Sequence, residues 1–169
     1  SMMSDPLWRG KVGWLLVTAR IHRLSPDIRR PGRVGDLIIP VLDPEGKDRE
    51  AFLDWVVSPV IDRKLTGEDR EKFAAATEGW SAAGFAALRS ELKAKAKLFG
   101  KKGKLTMDEV MTLIEDLLPP AIGETRRYQT LQALVNCTRR SLMPNPDVTD
   151  EEREAWSHEI RQLEAKGIR

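Results

Sequence analysis

Three copies of one helix-start pattern constrain this chain more than any other feature. In each copy a threonine is followed three residues later by an acid, in Thr66–Asp69, Thr106–Glu109 and Thr149–Glu152. The threonine oxygen can accept a hydrogen bond from the amide three residues on, and the acidic side chain can reach back to the threonine amide. The sequence therefore predicts helices that begin directly after Thr66, Thr106 and Thr149.

Apolar residues recur every three to four positions after these starts, which indicates amphipathic helices. A further helix is expected from near Asp48, with a kink or stop at Pro59 because proline lacks the amide hydrogen. The prolines at 119–120 are expected to end one helix and start the next, and Gly167 to cap the last. The predicted stripes are Phe52, Trp55, Val56 and Val60; Phe73, Trp80, Ala83, Ala87 and Leu88; Val110, Leu113, Ile114 and Leu117; Tyr128, Leu131, Leu134, Val135 and Leu142; and Trp156, Ile160 and Leu163.

The first 46 residues are harder to assign. Residues 5–24 start with a helix-capping Asp5 and Pro6 and space Trp8, Val12, Leu15 and Ala19 as a helix does, which favours a helix over a strand at 12–21. Residues 25–46 hold four prolines and three glycines and predict an irregular connector. Its apolar run at 37–42 is expected to be buried as an extended or one-turn plug under the helices, since Pro40 disfavours a central strand.

Length and composition fit a single all-α domain over residues 3–169, a compact bundle of five or six helices. The chain has 169 residues, 41% of them apolar, and Ser1–Met2 before Met3 resemble an expression-tag remnant. The net charge of +2 excludes a strongly basic nucleic-acid-binding tail. A lone cysteine excludes an intrachain disulfide and favours the cytoplasm or another reducing intracellular compartment. No apolar run is long enough to predict a transmembrane segment.

The residues that carry chemistry form no catalytic pattern. The glycines and lysines of 100–104 lack the spacing of a phosphate loop, so Gly100 is interpreted as a left-handed helix end between two helices. His22 and His158 lie in charged segments and are expected to be exposed, whereas Cys137 is expected to be a small buried hydrophobe. We therefore predict no catalytic, cofactor or metal site, and a protein that is not an enzyme.

Three basic clusters leave a second interpretation open. Nucleic acid or an anionic membrane surface could contact the two clusters formed by Arg20, Arg23, Arg29, Arg30, Lys93, Lys97, Lys101, Lys102 and Lys104. The third cluster is Arg126, Arg127, Arg139 and Arg140, in which Arg126 and Arg140 would share one helix face about 20 Å apart. Solvated helix ends and intramolecular ion pairs are the plainer explanations of all three clusters.

The favoured hypothesis is a non-catalytic adaptor, regulatory or structural protein that acts through protein–protein contacts. Tryptophan and arginine are enriched where binding energy concentrates, and Trp14 lies off the predicted core face. Self-association through the last helix, a homo-oligomer, is a further expectation. The predicted partner-binding residues are Trp14, Arg126, Arg127, Arg139, Arg140 and Trp156.

Overall fold

Six α-helices account for about half of the residues that the structure describes. The structure is a computed structural model and describes residues 5–8, 10–30, 32, 36–100, 102–118 and 122–169. The helices are α1 Gly46–Val57, α2 Gly67–Ala76, α3 Ala82–Phe99, α4 Met107–Asp116, α5 Gly123–Val135 and α6 Asp150–Ala165, with short 3-10 turns at Ile21–Arg23 and Arg140–Leu142. These described ranges contain no β-strand, and the all-α prediction is confirmed.

The chain divides into two compact units. Residues Asp43–Pro120 form one, here the central unit, and Ser1–Leu42 with Ala121–Arg169 form the other, here the terminal unit. Each unit has its own buried apolar clusters. The single domain over residues 3–169 stays a prediction.

The central unit is built on the contact between α1 and α3, which α2 and α4 extend. Leu53, Val56 and Val57 of α1 are buried with Phe85 and Leu88 of α3. The ring of Phe85 lies 5.9 Å from that of Phe73 on α2, and Val110 and Ile114 of α4 complete the core. Pro59 stands just after the end of α1 at Val57, as predicted.

All three predicted capping boxes form. Thr106 accepts a hydrogen bond from the Glu109 amide at 3.2 Å, and the Glu109 carboxylate accepts one from the Thr106 amide at 2.7 Å. The boxes at Thr66 and Thr149 have the same reciprocal pair. These bonds join residues only three positions apart, so the pair could be recognised in the sequence wherever it precedes an apolar helical pattern.

Two predicted helices are shorter than expected. The helix expected from Thr66 to Leu88 is divided into α2 and α3 at Gly79, whose φ of 71° is left-handed, and Ser81 caps α3 by accepting from the Gly84 amide. The helix expected to reach Leu142 ends at Val135. There the Asn136 side chain donates to the Gln132 carbonyl at 2.8 Å and competes with the backbone ladder.

Gly100 ends α3, but the left-handed conformation predicted for it is wrong. Its φ is −70°, and the positive φ values of this joint belong to Lys102 and Gly103. A Cβ at Gly100 would lie 2.5 Å from the backbone oxygens of both Ala96 and Lys104, so glycine is needed for close approach. Gly167, with a φ of 85°, does follow α6 in the predicted left-handed cap.

The predictions for the first 46 residues are partly wrong. Residues 12–18 form neither the expected helix nor the alternative strand, and the 37–42 run is only half covered. Left-handed Gly10 interrupts the helix pattern, and Gly13 weakens it further. The predictions for residues 119–121 lie outside the described residues.

Packing in the terminal unit depends on α5 and α6. Tyr128 and Leu131 of α5 are buried with Ile160 and Leu163 of α6. A second cluster joins Leu134 of α5 to Met143 and Val148. Trp156 on α6 contacts both clusters and connects them.

A stability test follows from the buried cap of α2. Asp69 accepts from the Thr66 amide at 2.8 Å and from both terminal nitrogens of Arg63, at 2.6 and 2.9 Å. We expect Asp69→Ala to lower the free energy of unfolding by about 1–2 kcal/mol, measured by urea denaturation, because it removes the cap together with the hydrogen bonds that the buried Asp69 carboxylate accepts from Thr66 and Arg63. Glu109→Ala, the equivalent change at an exposed box, is the control and should cost less; an equal loss would contradict the role of burial.

The same cap has a pH dependence of known sign. Hydrogen bonds from Arg63, then from Thr66, hold the pKa of Asp69 well below its ordinary 3.8. The stabilisation is therefore complete above about pH 5 and is lost as the pH falls toward the lowered pKa. Acid denaturation of Asp69→Ala should show a smaller loss of stability over that range than the native chain shows.

Candidate functional site

Exposed apolar side chains concentrate in two stretches of the terminal unit. Of the large hydrophobic residues exposed in the described chain, seven lie within 7–17 and three within 37–41. We call residues 12–17 the first apolar segment and residues 37–42 the second. The exposed members of the two stretches are Leu7, Trp8, Val12, Trp14, Leu15, Leu16, Val17, Leu37, Ile39 and Val41.

The first apolar segment offers its backbone as well as its side chains. Leu15 and Val17 are 89% and 90% exposed, and Trp14 beside them is also exposed. Among the described residues, no hydrogen bond involves the backbone of 12–17; the nearest are those from the Lys11 amide to Trp8 and from the Arg20 amide to Thr18. Both edges of the first apolar segment are therefore open to pairing with another extended chain.

The second apolar segment is fixed along one edge. The Ile38 amide donates to Oγ1 of Thr138 at 3.0 Å, and the Thr138 amide donates to the Ile38 carbonyl at 3.4 Å. Leu42 packs on the cluster around Leu134. Burial alternates along the segment, so Leu37, Ile39 and Val41 point to solvent while their neighbours are half-buried. The prediction that the whole run is buried is wrong, because an extended chain turns alternate side chains to opposite sides.

A chain of polar side chains on α5 holds the connector in place. Tyr128 donates to the Glu164 carboxylate at 2.8 Å and accepts from the Gln132 amide group at 3.1 Å. Asn136, one helical turn further on, accepts from the Arg29 guanidinium at 2.8 Å. Three residues spaced four apart on one helix face thus connect α6 at one end to the connector at the other. This spacing could have indicated a shared polar face from the sequence, but not its partners Arg29 and Glu164, which are distant along the chain.

His22 packs against the same face, and its predicted exposure is wrong. Its ring meets the Tyr128 ring edge-on, with centroids 5.0 Å apart. Both ring nitrogens are buried without a hydrogen-bond partner in the described structure. Burial, then the charges of Arg23 and Arg20 and more weakly Arg29, lowers the pKa of His22 below 6.5, and Glu164 opposes the shift. His158 is exposed, as predicted, and its ring nitrogen contacts the Gln162 amide at 3.0 Å.

The tryptophans divide differently from the prediction. Trp8 and Trp55 are exposed although both were assigned to core stripes. The ring of Trp55 is covered on one face by Arg89, whose guanidinium carbon lies 4.4 Å from the ring centroid. Trp80 is half-buried and packs on the central core. Trp156 is half-buried between the two clusters of the terminal unit, so its contribution to an interface stays a prediction.

The predicted ridge of four arginines does not form. Arg126 and Arg127 lie on α5, but Arg139 and Arg140 lie beyond its end, so Arg126 and Arg140 share no helix face. Arg127 donates twice to Glu159 on α6, at 2.7 Å each, and this lowers the pKa of that carboxyl. Arg140 donates to the Val148 carbonyl and lies 3.6 Å from Asp150. For Arg127 and Arg140 the plainer explanation, intramolecular pairing, describes what the structure shows.

The remaining basic candidates fall in both units. In the terminal unit Arg20 and Arg23 are exposed, Arg29 is bound to Asn136, and Arg30 lies 3.8 Å from Asp27. In the central unit Lys93, Lys97 and Lys102 are exposed, whereas Lys104 donates to the Pro59 carbonyl at 3.0 Å. Lys101 lies outside the described residues.

The burial of the His22 ring nitrogens leads to a testable prediction about the pH dependence of stability. Because the folded pKa lies below the unfolded value, the unfolded chain binds the proton more readily, and stability falls as the pH drops below about 6.5. His22→Phe keeps an aromatic ring and removes the titration, so we expect a smaller loss of stability between about pH 7.5 and about pH 5.5 in urea denaturation. A His22→Phe variant that loses as much stability as the native chain over this range would contradict the assignment.

Searches for known signatures add no assignment to this geometry. Within the described residues no group of three or more His, Cys, Asp or Glu side chains could hold a metal ion. Among the described helices, none is long and apolar enough to cross a membrane. The chain matches no protein-family model, and comparisons with curated proteins and with solved structures also return no match.

Proposed function

We propose that this chain is a non-catalytic protein that binds a protein partner through its two apolar segments. One observation carries the proposal: eight large apolar side chains are exposed in these two segments, and Leu7 and Trp8 add two more shortly before the first. Single exposed apolar residues are ordinary on protein surfaces, but a concentration of them marks an interaction site. The identity of the partner determines whether the complex has an adaptor, regulatory or structural role.

The backbone of the first apolar segment favours a protein as that partner. Its amides and carbonyls are open among the described residues, and a partner strand could satisfy them while pockets receive alternate side chains. Trp14 supplies the large, amphipathic anchor that such contacts commonly use. The predicted arginines contribute less, since Arg127 and Arg140 already have partners within the terminal unit.

The polar chain on α5 prepares the second segment for binding. The Arg29–Asn136 bond and the paired bonds of Ile38 with Thr138 fix the connector on both sides of residues 32–36. A segment held in its binding conformation loses less conformational entropy when the partner arrives. This supports a docking role for Leu37, Ile39 and Val41.

The test uses two leucines of almost equal exposure. Leu15, at 89% exposed, lies in the first apolar segment, and Leu118, at 91%, lies in the central unit. Burying a leucine at an interface contributes about 1.5–3 kcal/mol, so Leu15→Asp should weaken partner binding by about tenfold or more, and Leu118→Asp should not. Affinity capture with quantitative mass spectrometry would compare the native chain with both variants.

Light scattering over a dilution series completes the test, because the partner could be a second copy of the chain. A native chain that associates at high concentration and a Leu15→Asp variant that stays monomeric would identify a homo-oligomer. If both variants bind the same partners with the same strength as the native chain, the proposal is wrong. Circular dichroism spectra that match the native spectrum would establish that the variants are folded.

A further inference from the structure

The end of α3 in the central unit combines a positive charge with exposed apolar side chains. Residues 92–107 contain six lysines and no acidic residue, the nearest acids being Glu91 and Asp108. Lys93, Lys97 and Lys102 are exposed. Leu98 and Phe99, between the last two of these, are 72% and 79% exposed. This surface is separate from the apolar segments of the terminal unit.

Phe99 is exposed at the end of an otherwise buried stripe of α3. It continues the stripe of Leu88, Leu92 and Ala96 at helical spacing and is the last residue of the helix. Its neighbour Leu98 is exposed as well, so the buried part of the stripe ends at Ala96. The final turn of α3 therefore presents apolar side chains to solvent.

The chain turns back sharply after Phe99. The Gly100 amide donates to the Ala96 carbonyl at 3.0 Å, and the Gly103 amide donates to the Gly100 carbonyl at 3.2 Å. The returning chain is fixed by the Leu105 amide, which donates to the Val60 carbonyl at 2.8 Å, and by the Lys104 ammonium on the Pro59 carbonyl. We call residues 97–100 and 102–104 the α3 tip; the hydrogen bonds give it a defined shape.

We propose that the α3 tip binds the surface of a lipid bilayer that contains anionic lipids. Leu98 and Phe99 would enter the boundary between headgroups and acyl chains. Lys97 and Lys102 of the tip, together with Lys93 one turn earlier on α3, would contact lipid phosphates. Long lysine side chains can lay their methylene stems along apolar surface and keep the ammonium among the headgroups. An anionic bilayer attracts positive charge to its headgroups and accepts apolar side chains below them, so it is complementary to this tip.

A nucleic acid would fit the tip less well. RNA and single-stranded DNA are bound by aromatic platforms on which bases stack, and arginine commonly assists them. The tip has one aromatic residue, and its other apolar residue, Leu98, has no planar face for stacking. Insertion into a bilayer makes use of leucine and phenylalanine alike, so the pair favours lipid.

Vesicle sedimentation tests the proposal with the full chain. We expect the protein to sediment with vesicles of phosphatidylcholine mixed with phosphatidylserine, more weakly at high salt, and not with phosphatidylcholine alone. Leu98→Ser combined with Phe99→Ser should reduce the partition coefficient by about tenfold or more. Lys93→Gln combined with Lys97→Gln should do the same, at roughly fivefold per lysine.

Matched controls distinguish binding by the tip from the effects of overall charge and overall hydrophobicity. Lys47→Gln with Lys64→Gln removes two exposed lysines elsewhere in the central unit, and Leu118→Ser removes an exposed leucine; both should bind vesicles as the native chain does. Leu98→Trp places an indole at the tip; its emission, taken as the difference between this variant and the native chain with its five tryptophans, should shift to the blue with anionic vesicles only. All tip variants should keep the native circular dichroism spectrum, since the changed side chains are exposed.

Three results would overturn the proposal. One is the absence of sedimentation with anionic vesicles at low salt. The second is vesicle binding that Leu98→Ser with Phe99→Ser leaves unchanged. The third is competition: inorganic phosphate or a single-stranded RNA displaces the native protein from vesicles and also binds the Leu98→Ser with Phe99→Ser variant as strongly as the native chain. That result would assign the lysines to free phosphate or to nucleic acid.

Discussion

The packing of α5 against α6 is the contact on which the terminal unit depends, and it sets how much apolar surface that unit can cover. Two full helices and two short turns bury Tyr128, Leu131, Leu134, Ile160 and Leu163. Residues 7–17 and 37–41 add ten further large apolar side chains that these helices leave exposed. The central unit has four helices around its core and a correspondingly larger buried cluster. The exposed apolar segments thus follow from a shortage of helical surface in one unit.

Features that depend on neighbours in sequence were predictable from it. The three capping boxes, the end of α1 before Pro59 and the glycine cap after α6 each involve residues within a few positions of one another. Helix lengths were not predictable to the same degree. Apolar spacing continues through Trp80 and through Leu142, yet Gly79 and the Asn136 side chain end the helices earlier, because local backbone bonding outweighs the periodic pattern there.

Sequence could not indicate contacts that join distant residues. Arg29 meets Asn136 and His22 meets Tyr128 across more than a hundred positions, and each of the four is ordinary in its own surroundings. The same reason explains why the arginine ridge failed as a prediction. It required one continuous helix from Arg126 to Arg140, whereas the actual partners, Glu159 for Arg127 and Asp150 for Arg140, lie on α6.

Residues 5–20 show why a periodic pattern alone does not make a helix. Asp5 makes the expected cap, with its carboxylate accepting from the Leu7 amide at 2.9 Å, and one turn follows. Beyond Gly10 no helix propagates, because left-handed Gly10 interrupts it and a short helix in water needs an apolar surface to pack against, whereas residues 11–20 are exposed. Phe99 at the end of α3 shows the opposite case, since its helix is held by the buried Leu88 and Leu92 while its last residue is exposed. In both places the apolar residues exceed the surface that the fold can cover. The first apolar segment exposes backbone amides and carbonyls beside Trp14, which suits pairing with a protein chain. The end of α3 exposes apolar side chains among lysines on a backbone that is already hydrogen-bonded, which suits a charged lipid surface.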